Sequence, residues 1–207
     1  MERLVNIDLQ EAYLLADLTG IRDDLEATAA IGDLMLKEKI EIKEDEKDFT
    51  MSQALSAAAL VSYARAFKSG VRAKELHDKI TSMLPEELHE KHQWAIDMRD
   101  KFAAHSVNAF EDNQVVASLF PEEHGHNGIF RITVRRSRLA ALGENNVMDL
   151  KKLCKTLIDR IDTLIEEENK KVLEAAKRIP IDQLYALQPV TTPLPDRSEV
   201  GKRRKRK

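Results

Sequence analysis

The amino-acid sequence predicts a mainly α-helical fold, an antiparallel bundle with one β-hairpin inserted before its last long helix. Three observations carry this. Only 7 Gly and 6 Pro interrupt 207 residues, so backbone breakers are scarce in a chain rich in Ala, Leu, Glu and Lys, the strong helix formers. Apolar residues recur at three- and four-residue spacing over most of the length. A single pair of β-branched runs, Val115-Val116 and Ile132-Thr133-Val134 with their neighbours, interrupts that rhythm. With 43% hydrophobic and 33% charged residues, the chain is long enough for one well-formed core. Residues 1–180 read as one helical domain and residues 181–207 as a weakly ordered tail.

From Leu9 to Leu36 the spacing predicts two helices, or one broken near Gly20, with Leu9, Ala12, Tyr13 and Ala16 on one face and Ile21, Leu25, Ala29 and Leu36 continuing it. Lys37 to Phe49 is dense in charge and reads as a solvated helical extension ending before Phe49, or else as a loop. Thr50-Met51-Ser52-Gln53 has the pattern of a capping box, and from Met51 to Ala64 there is no charge. A helix of that composition is expected to be surrounded by others, with Gly70 as its stop. A short helix follows from about Arg72 to Ser82, and Pro85-Glu86-Glu87 opens another.

Residues Gln114 to Phe120 and Ile129 to Val134 form the expected hairpin. Because an isolated hairpin is marginal in water, it is expected to lean on the helices. Val147 to about Lys177 carries Leu150, Leu153, Cys154, Leu157, Ile161 and Leu164 at helical intervals, a long amphipathic helix along the bundle. Beyond Pro180, prolines 189, 193 and 195 among polar residues favour an extended tail.

The net charge of −3 is asymmetric: residues 202–207 are all basic, and without these six the rest carries −9. Such a tail contacts polyanions, serves as a targeting address, or keeps the terminus solvated. The start lacks a secretory pattern and no apolar run approaches the roughly 20 residues of a membrane span, so a cytoplasmic protein without membrane association is expected. The lone Cys154 lies in an apolar stripe and reads as a small buried side chain. No glycine-rich phosphate loop, zinc-spaced cysteine pair or nucleophile elbow occurs, and neither cofactor nor metal is expected. His124 and His126 in the hairpin turn lack a third ligand.

One heptapeptide reads as chemistry. Arg99-Asp100-Lys101-Phe102-Ala103-Ala104-His105 places a fixed cation, a carboxylate and an imidazole within two turns of a helix. Histidine moves a proton near neutral pH, and the guanidinium fork matches phosphate oxygens. At about 100° per residue, Leu88, His92, Ala95, Arg99 and Phe102 share one line, which puts Arg99 on an apolar seam where a charge needs a partner. His105 falls roughly 120° away by the same geometry, so one helix does not bring the two together. A second copy of the helix, or a bound phosphate, would.

Arg99-Asp100 followed after four residues by His105 resembles the R-polar-x4-H signature of the HEPN superfamily. The helix containing Leu60-Val61-Ser62-Tyr63-Ala64-Arg65-Ala66-Phe67 is similar to the one preceding that motif in abortive-infection-type members. With any specificity the likeness covers residues 50 to 110. It implies a HEPN-like bundle acting as a metal-independent endoribonuclease, a toxin or phage-defence effector whose two motif helices meet across a homodimer, with RNA as substrate and an antitoxin or defence-complex protein as a possible partner. His105 would be the general base or acid and Arg99 the stabiliser of phosphorane charge, with Asp100 orienting one of them. His92, Lys101 and Arg65 are weaker candidates for RNA or phosphate contact; His92 also reads as a core histidine, and Tyr63 as packing. Two other readings stand beside this one. The first is a non-catalytic HEPN-like module that binds RNA or protein. The second is a helical interaction protein in which Arg99 pairs with Asp97 or Glu111.

Overall fold

The computed structural model describes residues 3–37, 46–68, 74–103, 111–121, 123, 125, 128–138, 141–190 and 197–199. Its described elements are, in order, α1 (Gln10–Lys37), α2 (Glu46–Arg65), α3 (Lys74–Thr81), α4 (Glu86–Met98), a π-helical turn (Arg99–Ala103), β1 (Glu111–Leu119), β2 (Ile129–Arg138), α5 (Glu144–Ala176) and α6 (Ile181–Ala186). The expected class is therefore what is found: a mainly helical protein with a two-stranded antiparallel hairpin ahead of its last long helix.

The two long helices, α1 and α5, form the backbone of the core. They run antiparallel: Arg22 pairs with Asp162 and Asp33 with Lys151, so the second half of α1 meets the start of α5. Their approach is close at Gly32, where a Cβ would sit 2.8 Å from the Lys151 side chain. From α1, Leu18, Ile21 and Leu25 are buried, and from α5, Val147, Leu150, Leu153, Cys154, Leu157 and Ile161. These positions fall three or four residues apart, so each helix turns one apolar stripe inward. α2 packs across α1, adding Ala59, Leu60 and Tyr63, and α4 closes the other side with Leu88, Ala95 and Met98. Cys154 is fully buried, and burial pushes its thiol up to about 12, the state of a core side chain and not of a nucleophile.

Several local expectations change. α1 passes through Gly20 without a break, because one glycine costs a helix only about 1 kcal/mol, which the buried Leu18 and Ile21 on either side offset. α2 begins at Glu46 and not at a cap on Thr50. Nor is α2 enclosed: Met51, Ala54, Ala58 and Val61 lie on an exposed stripe. An uncharged sequence permitted burial all round, but among the described residues the bundle leaves this stripe of α2 uncovered. α2 ends at Arg65, before Gly70, which lies outside the described residues.

Both strands are longer than the β-branched runs suggested, and among the described residues their main packing is against each other. The ladder from Glu111↔Arg138 to Ser118↔Arg131 is regular, with a bulge before Leu119↔Ile129. Val115, Leu119, Ile129, Phe130, Ile132 and Val134 are all exposed. Residues 181–190 are also more ordered than the neighbouring prolines suggested. α6 follows directly, Arg3 donates to the Tyr185 and Leu187 carbonyls at 2.9 Å each, and Val5 and Pro189 form an antiparallel bridge. This segment returns to the N-terminus and pairs with it. The basic cluster of residues 202–207 lies outside the described residues.

Candidate functional site

α4 reaches the surface through an anchor in the core. Its inward positions Leu88, His92 and Ala95 are buried, and His92 is the polar one among them. Its Nδ1 lies 2.8 Å from the Tyr63 hydroxyl, and the ring meets Phe67 edge-on at 4.6 Å between centroids, while Tyr63 and Phe67 stand 5.1 Å apart. Burial, with His89 adding a like charge, lowers the His92 pKa to about 4. A neutral ring accepts the phenol hydrogen at Nδ1 and carries its own on Nε2. Burial also raises the Tyr63 phenol above its ordinary range. The pair fixes α4 against the end of α2 and offers no charge to a phosphate.

Where α4 ends, Arg99–Ala103 widens into a π-helical turn. Such turns are rare and frequently accompany functional sites. Arg99 is not sunk in the apolar seam. Its side chain is 34% exposed, long enough to leave the seam with its head in water. The partner it needed is the next residue: Arg99 Nη1 donates to Asp100 Oδ1 at 2.9 Å. Asp97 instead accepts from Gln93 at 3.0 Å.

The other oxygen of Asp100 accepts from Lys68 Nζ at 2.6 Å. The hydrogen bonds from Lys68 and then Arg99 hold the Asp100 carboxyl below its usual range, so it stays ionised and keeps both cations in place. Lys68 follows directly on Phe67, so the aromatic contact with His92 also delivers this ammonium to Asp100. Two positive charges share one negative charge at a surface where all three side chains are a third or more exposed. A guanidinium has five N–H donors, and those that Asp100 does not take are available to an incoming oxyanion.

Of the residues singled out in the sequence, the structure thus brings Arg99 and Asp100 together and adds Lys68. Lys101 is exposed one step further along the turn, at the rim of a depression of about 320 Å³ lined also by Glu90, Gln93, Trp94, Asp97 and Met98. Arg65 points to α1, where it pairs with the buried Asp24 at 3.2 Å. His92 is in the core. His105 lies outside the described residues. Lys68 carries no signal of its own in the sequence; its place at the end of the Tyr63–Phe67 helix was the available clue. Among the described residues no group of three or more His, Cys, Asp or Glu is placed to hold a metal ion, and no helix is long and apolar enough to cross a membrane.

Comparison with protein-family models, with curated proteins and with solved structures finds no match to this chain.

Proposed function

We propose that this chain is a metal-independent endoribonuclease of the HEPN type, acting as a toxin or defence effector, in which Arg99 and His105 of two copies form one composite site. The observation that carries the reading is the Lys68–Asp100–Arg99 cluster. The motif carboxylate orients the motif guanidinium at 2.9 Å, and a second cation leaves the group with a net positive charge facing solvent. That arrangement suits a phosphodiester, because a charge-assisted donor held in place before the reaction does not have to reorganise during it.

In the proposed reaction His105 takes the proton of a ribose 2′-hydroxyl, whose oxygen attacks the adjacent phosphorus. The bond to the 5′-oxygen breaks, and that oxygen receives a proton from the matching acid. Arg99 donates to the non-bridging oxygens as their charge grows, and Asp100 acts as a positioning residue for it. General acid–base catalysis of this kind contributes on the order of 10² to 10⁴ in rate.

The test is cleavage of a mixed RNA pool by the full chain in the presence of a chelator. The expected result is cleavage by the wild type that falls by at least about 10²-fold in His105→Ala and comparably in Arg99→Ala, with the assembled form unchanged. Absence of cleavage by the wild type, or cleavage that requires an added divalent ion, overturns the mechanism.

A further inference from the structure

The chain has one tryptophan, Trp94, and it lines the surface depression that runs along α4 into the π turn. The depression has a volume of about 320 Å³, at the small end of the roughly 300–1,000 Å³ of ligand pockets. Trp94 is half-buried and packs against the core. The core therefore holds the indole still while part of the ring faces the depression, which is what a stacking surface requires.

The polar side chains around the indole differ in what they leave free. Asp97 accepts from Gln93 at 3.0 Å, so these two occupy each other. Glu90 and Lys101 are exposed and make no side-chain hydrogen bond or ion pair among the described residues. The first offers only acceptors and the second only donors. At about 1.5 Å of rise per residue, Glu90 lies about 6 Å before Trp94 along the helix and Lys101 about 10 Å after it. A free carboxylate and a free ammonium on either side of an aromatic platform match a nucleotide laid along α4. Its base rests on the indole, with hydrogen-bond donors toward Glu90 and the phosphate toward Lys101.

The carboxylate also selects among bases. Guanine alone presents two adjacent donors on one edge, the N1 hydrogen and the N2 amino group, and two parallel donors suit the two oxygens of a carboxylate. Adenine and cytosine set their amino group beside an acceptor nitrogen that a carboxylate repels. Uracil sets its one N–H between two carbonyls.

We propose that the depression on α4 is a guanine subsite, in which Trp94 stacks the base, Glu90 accepts from its N1 and N2 hydrogens, and Lys101 holds its phosphate. For its ligand class the inference rests on the reading of the chain as a ribonuclease, and it gives that reading a sequence preference. Lys101 and Arg99 belong to the same π turn. Two residues apart, they leave it on different sides, so the guanosine at Trp94 is a flanking nucleotide, outside the linkage that Arg99 holds.

Because Trp94 is the only tryptophan, the fluorescence of the full chain, excited beyond nucleotide absorption, reports on this depression. The probes are the 5′-monophosphates of guanosine, adenosine, cytidine and uridine, titrated at millimolar concentration without RNA, so the readout does not depend on cleavage. Guanosine monophosphate is expected to quench Trp94 saturably and to bind roughly ten-fold more tightly than the other three, the discrimination of one bidentate base contact. Glu90→Gln should remove that preference and leave adenosine monophosphate binding unchanged. Lys101→Ala should weaken all four alike and reduce the salt dependence. Both positions are exposed, and circular dichroism checks that both variants fold. No saturable response to guanosine monophosphate, an equal response to all four, or a preference that survives Glu90→Gln overturns the subsite, whether or not RNA is cleaved. Tighter binding of arginine amide than of guanosine monophosphate also overturns it, since an indole beside carboxylates takes a guanidinium as well. The expected preference in a chain that cleaves no RNA overturns the ribonuclease reading and leaves the guanine site standing.

Discussion

The α1–α5 core and the β1–β2 ribbon are both made of branched apolar residues, and they treat those residues in opposite ways. In the core, Leu157 and Ile161 are wholly buried; in the ribbon, Ile132 and Val134 stand in water. The contrast shows that hydrophobic content by itself does not decide burial. What decides it is whether a second element is placed to receive the face. α1 and α5 receive each other, α4 is pinned through one buried histidine, and among the described residues the ribbon's Val115, Ile132 and Val134 side is left exposed.

Substitution is the most direct way to break that contrast. Leu157→Ala removes a fully buried side chain between α1 and α5 and should cost about 2–5 kcal/mol, the transfer term plus the cavity left behind. Denaturant titration followed by circular dichroism measures it. A cost under about 1 kcal/mol would mean that α5 is not the centre of the core.

The α4 anchor should give a smaller loss of a different kind. Tyr63→Phe keeps the ring and its contact with Phe67 but leaves the buried His92 Nδ1 without its donor, at a cost of about 1–3 kcal/mol. The same contact gives a pH dependence whose sign is fixed. The His92 pKa is about 4 in the folded chain and 6.5 as its ordinary value, so the unfolded chain binds the proton more tightly. Stability is therefore full above about pH 6.5 and declines as the pH falls from there toward 4, then levels off as far as this group is concerned. His92→Gln should flatten that part of the stability–pH profile. An unchanged slope would show that His92 is not the group that titrates.

These elements also show what the sequence made legible. The apolar stripe of α5, from Leu150 to Ile161, is regular enough to give both the helix and its buried face, and Pro85-Glu86-Glu87 marks the start of α4 within a residue. The motif stood out for its residue types. Its surroundings did not: Lys68 lies 32 positions before Asp100 in the chain, and the packing of α2 on α4, with the Tyr63–Phe67–His92 contact within it, brings them together. Helical angles placed Arg99 on the apolar seam because they assume a uniform turn and a short side chain, whereas a long arginine at the start of a π turn leaves the seam. α2 was misread as enclosed because absence of charge records what a face tolerates, not what covers it. The β-branched runs announced the hairpin but not its length, because the ladder continues through the polar residues Asp112 to Gln114 and Arg135 to Ser137.

The smallest expected effect is the one that separates the two regions most sharply. Ile132→Thr keeps a β-branched side chain on an exposed strand position. Because Ile132 is 60% exposed, it should change stability by no more than about 0.5 kcal/mol, against several for Leu157→Ala. The measurement is denaturant titration of Ile132→Thr beside the wild type at low micromolar protein. If Ile132→Thr is strongly destabilising even when dilute, a surface within the same chain already covers that face, and the distinction between core and ribbon fails.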